Sequence, residues 1–304
     1  MEVDANMAKD AYTSAATQDA VAAVKEADAM EMDSGAPLIA DPESFMVDTR
    51  TFERGMFPIP PQLALGNYKL TYKALMHAAY KYKSKSAPMY LFGSTIMATG
   101  AKYQFIKPDG ENGMLPRLNT ASRPGKGGAT MMQQTWLIEM AQNAERLARE
   151  YAARHDTGLI AVLDEAKRII PAELRIADTC FTALALVGDL KPGDNHPHVD
   201  DHDIISLFTT VGDSDVTGGR TLYYGGGSAF DKKDPAGTCG KVIAETPFKH
   251  GQYQVGPFES VVHGGETWTG HRGVLSFYLN KGILMHFRTY GTTHYDEARE
   301  RMYE

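Results

Sequence analysis

Two cysteines, Cys180 and Cys239, are all that 304 residues contain, so no disulfide framework of the kind that staples small secreted domains is available. Long apolar runs are missing too. The longest, Phe181 to Val187, is broken by Thr182 and falls far short of the ~18 residues a membrane span needs. Positive charge is in the minority: 31 Lys and Arg face 38 Asp and Glu, giving a net charge of −7 and a pI near 5.8. That balance argues against a general nucleic-acid binder. The N-terminus lacks a basic stretch followed by an apolar core, and so does not read as a signal peptide. No internal repeat is evident. The remainder is ordinary: 43% hydrophobic and 23% charged residues exclude wholesale disorder, collagen and a bare coiled coil. A chain of this length buries roughly 75% of its unfolded surface and needs no staple. The expectation is a cytoplasmic protein with no membrane, no nucleic acid and no obligate protein partner.

The first 40 residues differ from the rest. Eight acidic residues stand there against Lys9 and Lys25, and 12 of the 40 are alanine. Such a segment has little to bury, so residues 1–44 read as an acidic, mobile tail, with a transient helix over Asp19 to Met32. Residues 45–304 read as one catalytic domain. Within it, 45–177 look like helical support. Leu63 to Lys83 is an expected helix, 103–126 is a Gly- and Pro-rich loop, and Met131 to Arg154 carries Trp136, Met140, Ala144, Leu147 and Tyr151 at spacings of three and four. Leu159 to Ile170 is another helix, stopped by Pro171. After Pro171 the pattern changes. Short runs rich in β-branched and aromatic residues occur at Phe181–Val187, Ile204–Val211, Thr221–Tyr224, Gln252–Val255, Ser260–His263, Val274–Leu279 and Leu284–Tyr290, separated by Gly, Pro, Asp and Asn. That spacing suggests a sandwich or jelly-roll barrel over 178–290.

Six of the ten histidines fall between 196 and 271. In His196-Pro197-His198-Val199-Asp200, alternate residues of an extended chain share a face, so His198 and Asp200 offer a nitrogen and an anionic oxygen to one point. A third donor must come from another strand. His263, ending Ser260-Val261-Val262-His263 before a Gly264-Gly265 turn, is the best candidate. Two histidines and a carboxylate on one face of a metal form the facial triad of non-haem Fe(II) oxygenases, with open positions for a co-substrate and dioxygen. Nine residues on, Arg272 opens the run Gly273-Val274-Leu275-Ser276-Phe277-Tyr278. Alternation puts Arg272, Val274, Ser276 and Tyr278 on one face. An arginine buried among apolar residues needs an anion, and its planar fork suits a carboxylate.

The order of these pieces, His-x-Asp, Ile205 to Thr210, Gly218-Gly219-Arg220-Thr221, the distal His263 and Gly270-x-Arg272-x-x-Leu275-x-Phe277-Tyr278, resembles the Fe(II)/2-oxoglutarate-dependent dioxygenases, most of all their prolyl-hydroxylase-like branch. The resemblance covers roughly 178–281. It implies a double-stranded β-helix, a jelly-roll or cupin-like barrel, supported by N-terminal α-helices. It implies Fe(II) held by His198, Asp200 and His263, and 2-oxoglutarate anchored at its far carboxylate by Arg272, with dioxygen as the other co-substrate. Many members place Ser or Thr two residues after the arginine. Here that position is Val274, so a second anchor must come from Thr209, Thr221 or Tyr223. The substrate expected is a small metabolite, such as an amino-acid derivative undergoing hydroxylation, desaturation or kainoid-synthase-like cyclisation. Its candidate contacts are His196, Arg220, Tyr224 and Trp268. Plainer readings stand beside these: a surface pair for His198 and Asp200, a core imidazole for His263, a structural ion pair for Arg272. Beside a metal-free jelly-roll scaffold that interacts through its acidic tail, two other functions remain. One is a cupin-type metal protein using His196-x-His198. The other is a prolyl-type hydroxylase of protein residues.

Overall fold

Alternation decides which side of each strand is buried, and Arg272–Asn280 shows it most plainly. Leu275, Phe277 and Leu279 are buried on one side while Val274, Ser276 and Tyr278 stand on the other. The computed structural model describes residues 42–64, 81–83, 88–96, 104–119, 122, 133–188, 196–225, 230–292 and 294–296. Residues 1–41 of the expected tail, its helix over 19–32 and most of the expected helix over 63–83 lie outside the described residues, and the last two tail residues, Glu43 and Ser44, belong to a strand instead.

In chain order the elements that build the site are β1 (Glu43–Val47), β2 (Arg50–Met56), β3 (Lys81–Lys83) and β4 (Pro88–Thr95), then helices α1 (Thr135–His155) and α2 (Thr157–Ile169). There follow β5 (Ala183–Gly188), β6 (Asp203–Gly212), β7 (Thr221–Tyr224), β8 (Val242–Thr246), β9 (Gln252–Gly256), β10 (Val262–Gly265), β11 (Arg272–Asn280) and helix α3 (Lys281–Tyr290). The main sheet runs β1-β2-β9-β6-β11-β5-β4-β3, with a two-residue strand at Arg117–Leu118 beside β4. A smaller sheet runs β8-β7-β10, and an antiparallel bridge between His198 and His263 adds a rung beside β10. From β5 onward the chain visits main, small, main, small, small, main, small, main. That alternation is the double Greek key of a jelly roll, the double-stranded β-helix.

Two cores follow from this layering. Between the main sheet and the helices, Trp136, Met140, Ala144 and Leu147 of α1 meet Leu184, Leu207, Leu275 and Phe277. Inside the barrel, Phe52, Phe208, Tyr223, Phe258 and Val261 form a second cluster, with Val274 packed against it. The helix expected from the 131–154 periodicity is α1, and that expected before Pro171 is α2.

Two expectations need correction. Residues 45–177 are not helical support alone, because β1 to β4 add both flanks of the main sheet. The β1–β2 hairpin turns at Asp48, whose φ of 56° is the left-handed conformation that aspartate tolerates. It survives as sheet because Phe52 fills the barrel interior while its neighbour Glu53 faces α1. The run Leu284–Tyr290, expected as a strand, belongs to α3. Asn280 caps it by accepting from the Ile283 amide at 3.1 Å, and Ile283, Leu284 and Phe287 fall on one helical face. No helix among the described residues is long and apolar enough to cross a membrane.

Glu53 ties the hairpin to α1. Its carboxylate is almost wholly buried and takes a fork of bonds from Arg154 Nε and Nη2, both at 2.7 Å, plus a 2.6 Å contact from His155 Nε2. Burial alone would raise the Glu53 carboxyl, but hydrogen bonds from Arg154 and His155 outweigh it and hold it below the model-peptide value of 4.5. The contribution to stability is therefore complete above that value and is lost as pH falls through the lower folded value. Glu53→Gln should destabilise the protein by about 1–3 kcal/mol at pH 7, the range for a disrupted charge-assisted bond. In urea titrations the gap between variant and wild type should narrow steadily below pH 4.5. A gap independent of pH would show that the ionised carboxylate contributes nothing.

Candidate metal centre

His198 and His263 are brought together by main chain before their side chains matter. Each donates its amide to the other's carbonyl at 2.8 Å, a narrow antiparallel pair that puts both imidazoles on one side of the small sheet. The ring centroids lie 4.4 Å apart. Asp200 is held two residues on by its amide, which donates to Phe258 O at 3.1 Å. Its carboxylate oxygens lie 3.8 Å from His198 Nε2 and 3.6 Å from His263 Nε2. One donor atom from each residue falls within 4.8 Å of the other two. Each would have to move by under about 1 Å to share an ion at the ~2.1 Å bond lengths of such ligands.

The far ring nitrogens are already committed. His198 Nδ1 sits 3.0 Å from His196 O, and His263 Nδ1 3.0 Å from Val261 O. A carbonyl only accepts, so each Nδ1 carries a proton, and each Nε2 is turned toward Asp200. Burial, with His198 beside it, pulls the His263 imidazole down to about 4, so it is neutral at neutral pH. The Phe258 ring meets it edge-on at 5.0 Å and closes the apolar side. Two imidazole nitrogens and a carboxylate on one face fit a divalent transition metal with open positions.

Arg272 enters from the first residue of β11, on the interior side with Val274, and is only 3% exposed. Its guanidinium donates to Gly219 O, lies 4.2 Å from the Trp268 ring centroid and 5.3 Å from that of Phe248. Gly219 has a φ of +77°, and a Cβ there would strike the guanidinium. Glycine is thus required twice over.

The remaining candidates divide. Thr221 and Tyr223 face the barrel interior and join a buried network around Gln254. Thr209 does not: it is in phase with Ile205, Leu207 and Val211 of the helix-side core, and its hydroxyl bonds to Gln252 O at 3.2 Å. It stands on the wrong face of β6 to anchor an interior ligand. Arg220 is saturated by Glu266, at 2.9 and 2.6 Å, and by Glu245 at 2.7 Å, on the surface. That double ion pair removes it as a substrate contact. Tyr224 alternates with Leu222 on the outward side of β7. Trp268 covers Arg272 rather than the metal donors. His196 is exposed, its ring centroid 6.3 Å from that of His198, and it serves the site through its carbonyl. The His-x-His pair of a cupin is therefore not assembled. Sequence reasoning overlooked Gln254 and Phe248, and gave Gly219 only as part of the run Gly218-Gly219-Arg220-Thr221. Only Gln254 left a signal, as a polar residue alternating with Tyr253 and Val255 in a strand.

Comparison with known proteins adds little to this geometry. No protein-family model and no curated protein matches the chain. Similar solved structures include NgTET1 in complex with 5mC DNA, 13% identical, covering 89% of this chain and 92% of that one with a TM-score of 0.47. A bsmA homologue from Methylobium petroleophilum is 13% identical over 65% of this chain and 73% of that one, TM-score 0.28. EvdMO1 is 16% identical over 60% and 39%, TM-score 0.27. At such scores the strand order itself identifies the barrel.

Metal binding should need all three donors. Anaerobic calorimetry with Fe(II) should find one site in the wild type and none in His198→Ala or His263→Ala. Asp200→Gly removes the anionic donor but leaves both imidazoles, so a weak residual site is expected. Wild-type affinity in all three variants would overturn the assignment.

Proposed function

We propose that this chain is an Fe(II)- and 2-oxoglutarate-dependent oxygenase acting on an unactivated C–H bond of a small metabolite, with an amino-acid derivative in specialised biosynthesis as the favoured substrate. One observation carries the reading. Two imidazole Nε2 atoms and a carboxylate converge on one point, and a buried arginine stands on an interior face of the same barrel. A guanidinium on that face suits the far carboxylate of an acidic co-substrate.

His198, Asp200 and His263 would hold the metal on one face. Arg272 would hold the far carboxylate of the keto acid, its fork matching the two oxygens. Trp268 and Phe248 flank the guanidinium, and cation–π contact offsets part of the cost of desolvating it. Iron bound here with 2-oxoglutarate and dioxygen would supply oxidation of the substrate C–H bond, coupled to release of succinate and CO2. The chain's own part is orientation: the His196 and Val261 carbonyls fix the imidazoles, and the Phe52, Phe208 and Phe258 cluster keeps water from the barrel.

The neighbour NgTET1 is seen with 5mC DNA. For this chain the net charge of −7 favours a small substrate, since a polyanion is gathered by excess positive charge. Succinate release stimulated by 5-methylcytosine DNA rather than by metabolites would overturn that choice and leave the reaction class standing.

Arg272 supplies the test of the class. Adding 2-oxoglutarate to the anaerobic Fe(II) protein should produce the weak visible charge-transfer band of a chelated keto acid. Arg272→Leu should raise the 2-oxoglutarate requirement by about one to two orders of magnitude, the effect of removing a bond to a charged group. Arg272→Lys keeps the charge without the fork and should fall between. Iron affinity should change little in either. Equal 2-oxoglutarate dependence in wild type and Arg272→Leu would make Arg272 a structural residue.

A further inference from the structure

At the end of β6 an imidazole takes the place of a main-chain group in the sheet. Thr209 on β6 faces Tyr253 on β9, so three residues further along β6 Gly212 comes level with residue 250. β9 begins only at Gln252, and the regular ladder has ended there. The Gly212 amide donates instead to Nδ1 of the His250 side chain, at 3.1 Å. A backbone N–H only donates, so Nδ1 must offer a lone pair, and the single proton of the neutral ring sits on Nε2. A second proton would set N–H against N–H and end the bond.

That bond fastens one turn, the link from β8 to β9. Thr210 holds the turn through its hydroxyl, which donates to Lys249 O at 2.8 Å, and through its carbonyl, which accepts from Gly251 N at 2.7 Å. The bond from Gly212 to His250 is a third hold, and it lies where the turn presents Phe248. A Cβ on Gly212 would stand 2.8 Å from the Phe248 ring and 3.1 Å from Arg272 Cβ, so Gly212 packs against both. The Phe248 centroid in turn lies 5.3 Å from the Arg272 guanidinium. Few charged groups surround His250. They are Asp213, one residue past Gly212; Lys249, beside it in the turn; and Arg272, the register partner of Gly212. From β2 and the residues after it, Met56, Phe57 and Ile59 pack on Gly251, and none of them titrates. Burial outweighs the pull of Asp213 and keeps the His250 imidazole below its ordinary value of 6.5.

We propose that His250 is a positioning residue that, while neutral, clasps the Phe248 turn to Gly212 and so holds the Phe248 ring against Arg272. On acidification the clasp opens, the ring leaves the guanidinium, and the arginine's hold on an acidic ligand weakens. The consequence for the ligand rests on the 2-oxoglutarate reading above. The clasp itself rests only on the bond between Gly212 and His250.

Two measurements on the full chain test it. The first needs no ligand. A base whose folded value lies below 6.5 leaves stability untouched above that pH and lowers it as pH falls from there toward the folded value. His250→Asn puts an amide oxygen where Nδ1 stands and accepts from Gly212 at any pH, so its melting temperature should gain on the wild type over that fall. The second is calorimetric binding of 2-oxoglutarate to the protein saturated with Mn(II), so that no turnover intervenes, from about pH 8 to about pH 5. Wild-type affinity should fall by about 2- to 30-fold, the span of a cation–π contact. His250→Asn should stay level. His250→Leu and Phe248→Leu should be weakened by a similar factor at every pH. Binding of 2-oxopentanoate, which lacks the far carboxylate, should be alike in all four proteins. A merely structural histidine would weaken both keto acids together. The same acid fall in His250→Asn as in wild type, or wild-type affinity in His250→Leu at about pH 8, would overturn the proposal. Wild-type 2-oxoglutarate affinity in Arg272→Leu would instead overturn the functional reading and the ligand half of the inference, and the melting comparison would still decide the clasp.

Discussion

The paired hydrogen bonds between the main chains of His198 and His263 are what the site depends on. They bring together two residues 65 positions apart without asking anything of the side chains. Once the pair is made, period-two geometry puts both rings on one side of the small sheet, and Asp200 follows two residues later on that side. The carbonyls of His196 and Val261 then set both tautomers. Each is the residue two before the histidine it orients, so each ring is fixed by its own strand. Three donors are preorganised by backbone alone, which suits a site that must bind an ion in a set geometry.

Arg272 poses the opposite problem, because nothing in backbone geometry favours a buried cation. A guanidinium out of water costs several kcal/mol unless it is paired. The Gly219 carbonyl and the rings of Trp268 and Phe248 meet part of this with dipoles and π faces. The outcome is an interior that is cationic at one end and anionic at the metal donors. That polarity suits a ligand with an acid group at one end and metal-binding oxygens at the other.

Much of the site was legible in the sequence because its pieces are local. His-x-Asp reads off period two, and Arg272 reads off the alternation of the last strand. Short apolar runs between Gly, Pro, Asp and Asn made a sandwich or jelly-roll barrel legible, and the double-stranded β-helix followed from the family resemblance. What was not legible is what depends on contacts across the fold. The strand character of β1 and β2 comes from filling a barrel built by residues 200 positions later, so local propensity gave no sign of it. Leu284–Tyr290 is rich in strand-forming types, but the Asn280 cap and the one-sided Ile283, Leu284 and Phe287 made it helix. Arg220 looked available because its partner carboxylates, Glu245 and Glu266, lie 25 and 46 residues away.

The two cores share one sheet, and this links the helices to the barrel interior. On β2, Phe52 points into the barrel against Phe258, its ring centroid 5.1 Å away, while Glu53 points out to Arg154 at the end of α1. On β6, Phe208 points in and Leu207 out. Neighbours on a strand face opposite ways, so Glu53 meets α1 while Phe52 packs on Phe258, and Phe258 touches both the His263 ring and the Asp200 amide. The helices are therefore more than a cover on the sheet. Through a single pair of adjacent residues, Phe52 and Glu53, they are joined to the aromatic wall beside the candidate metal donors.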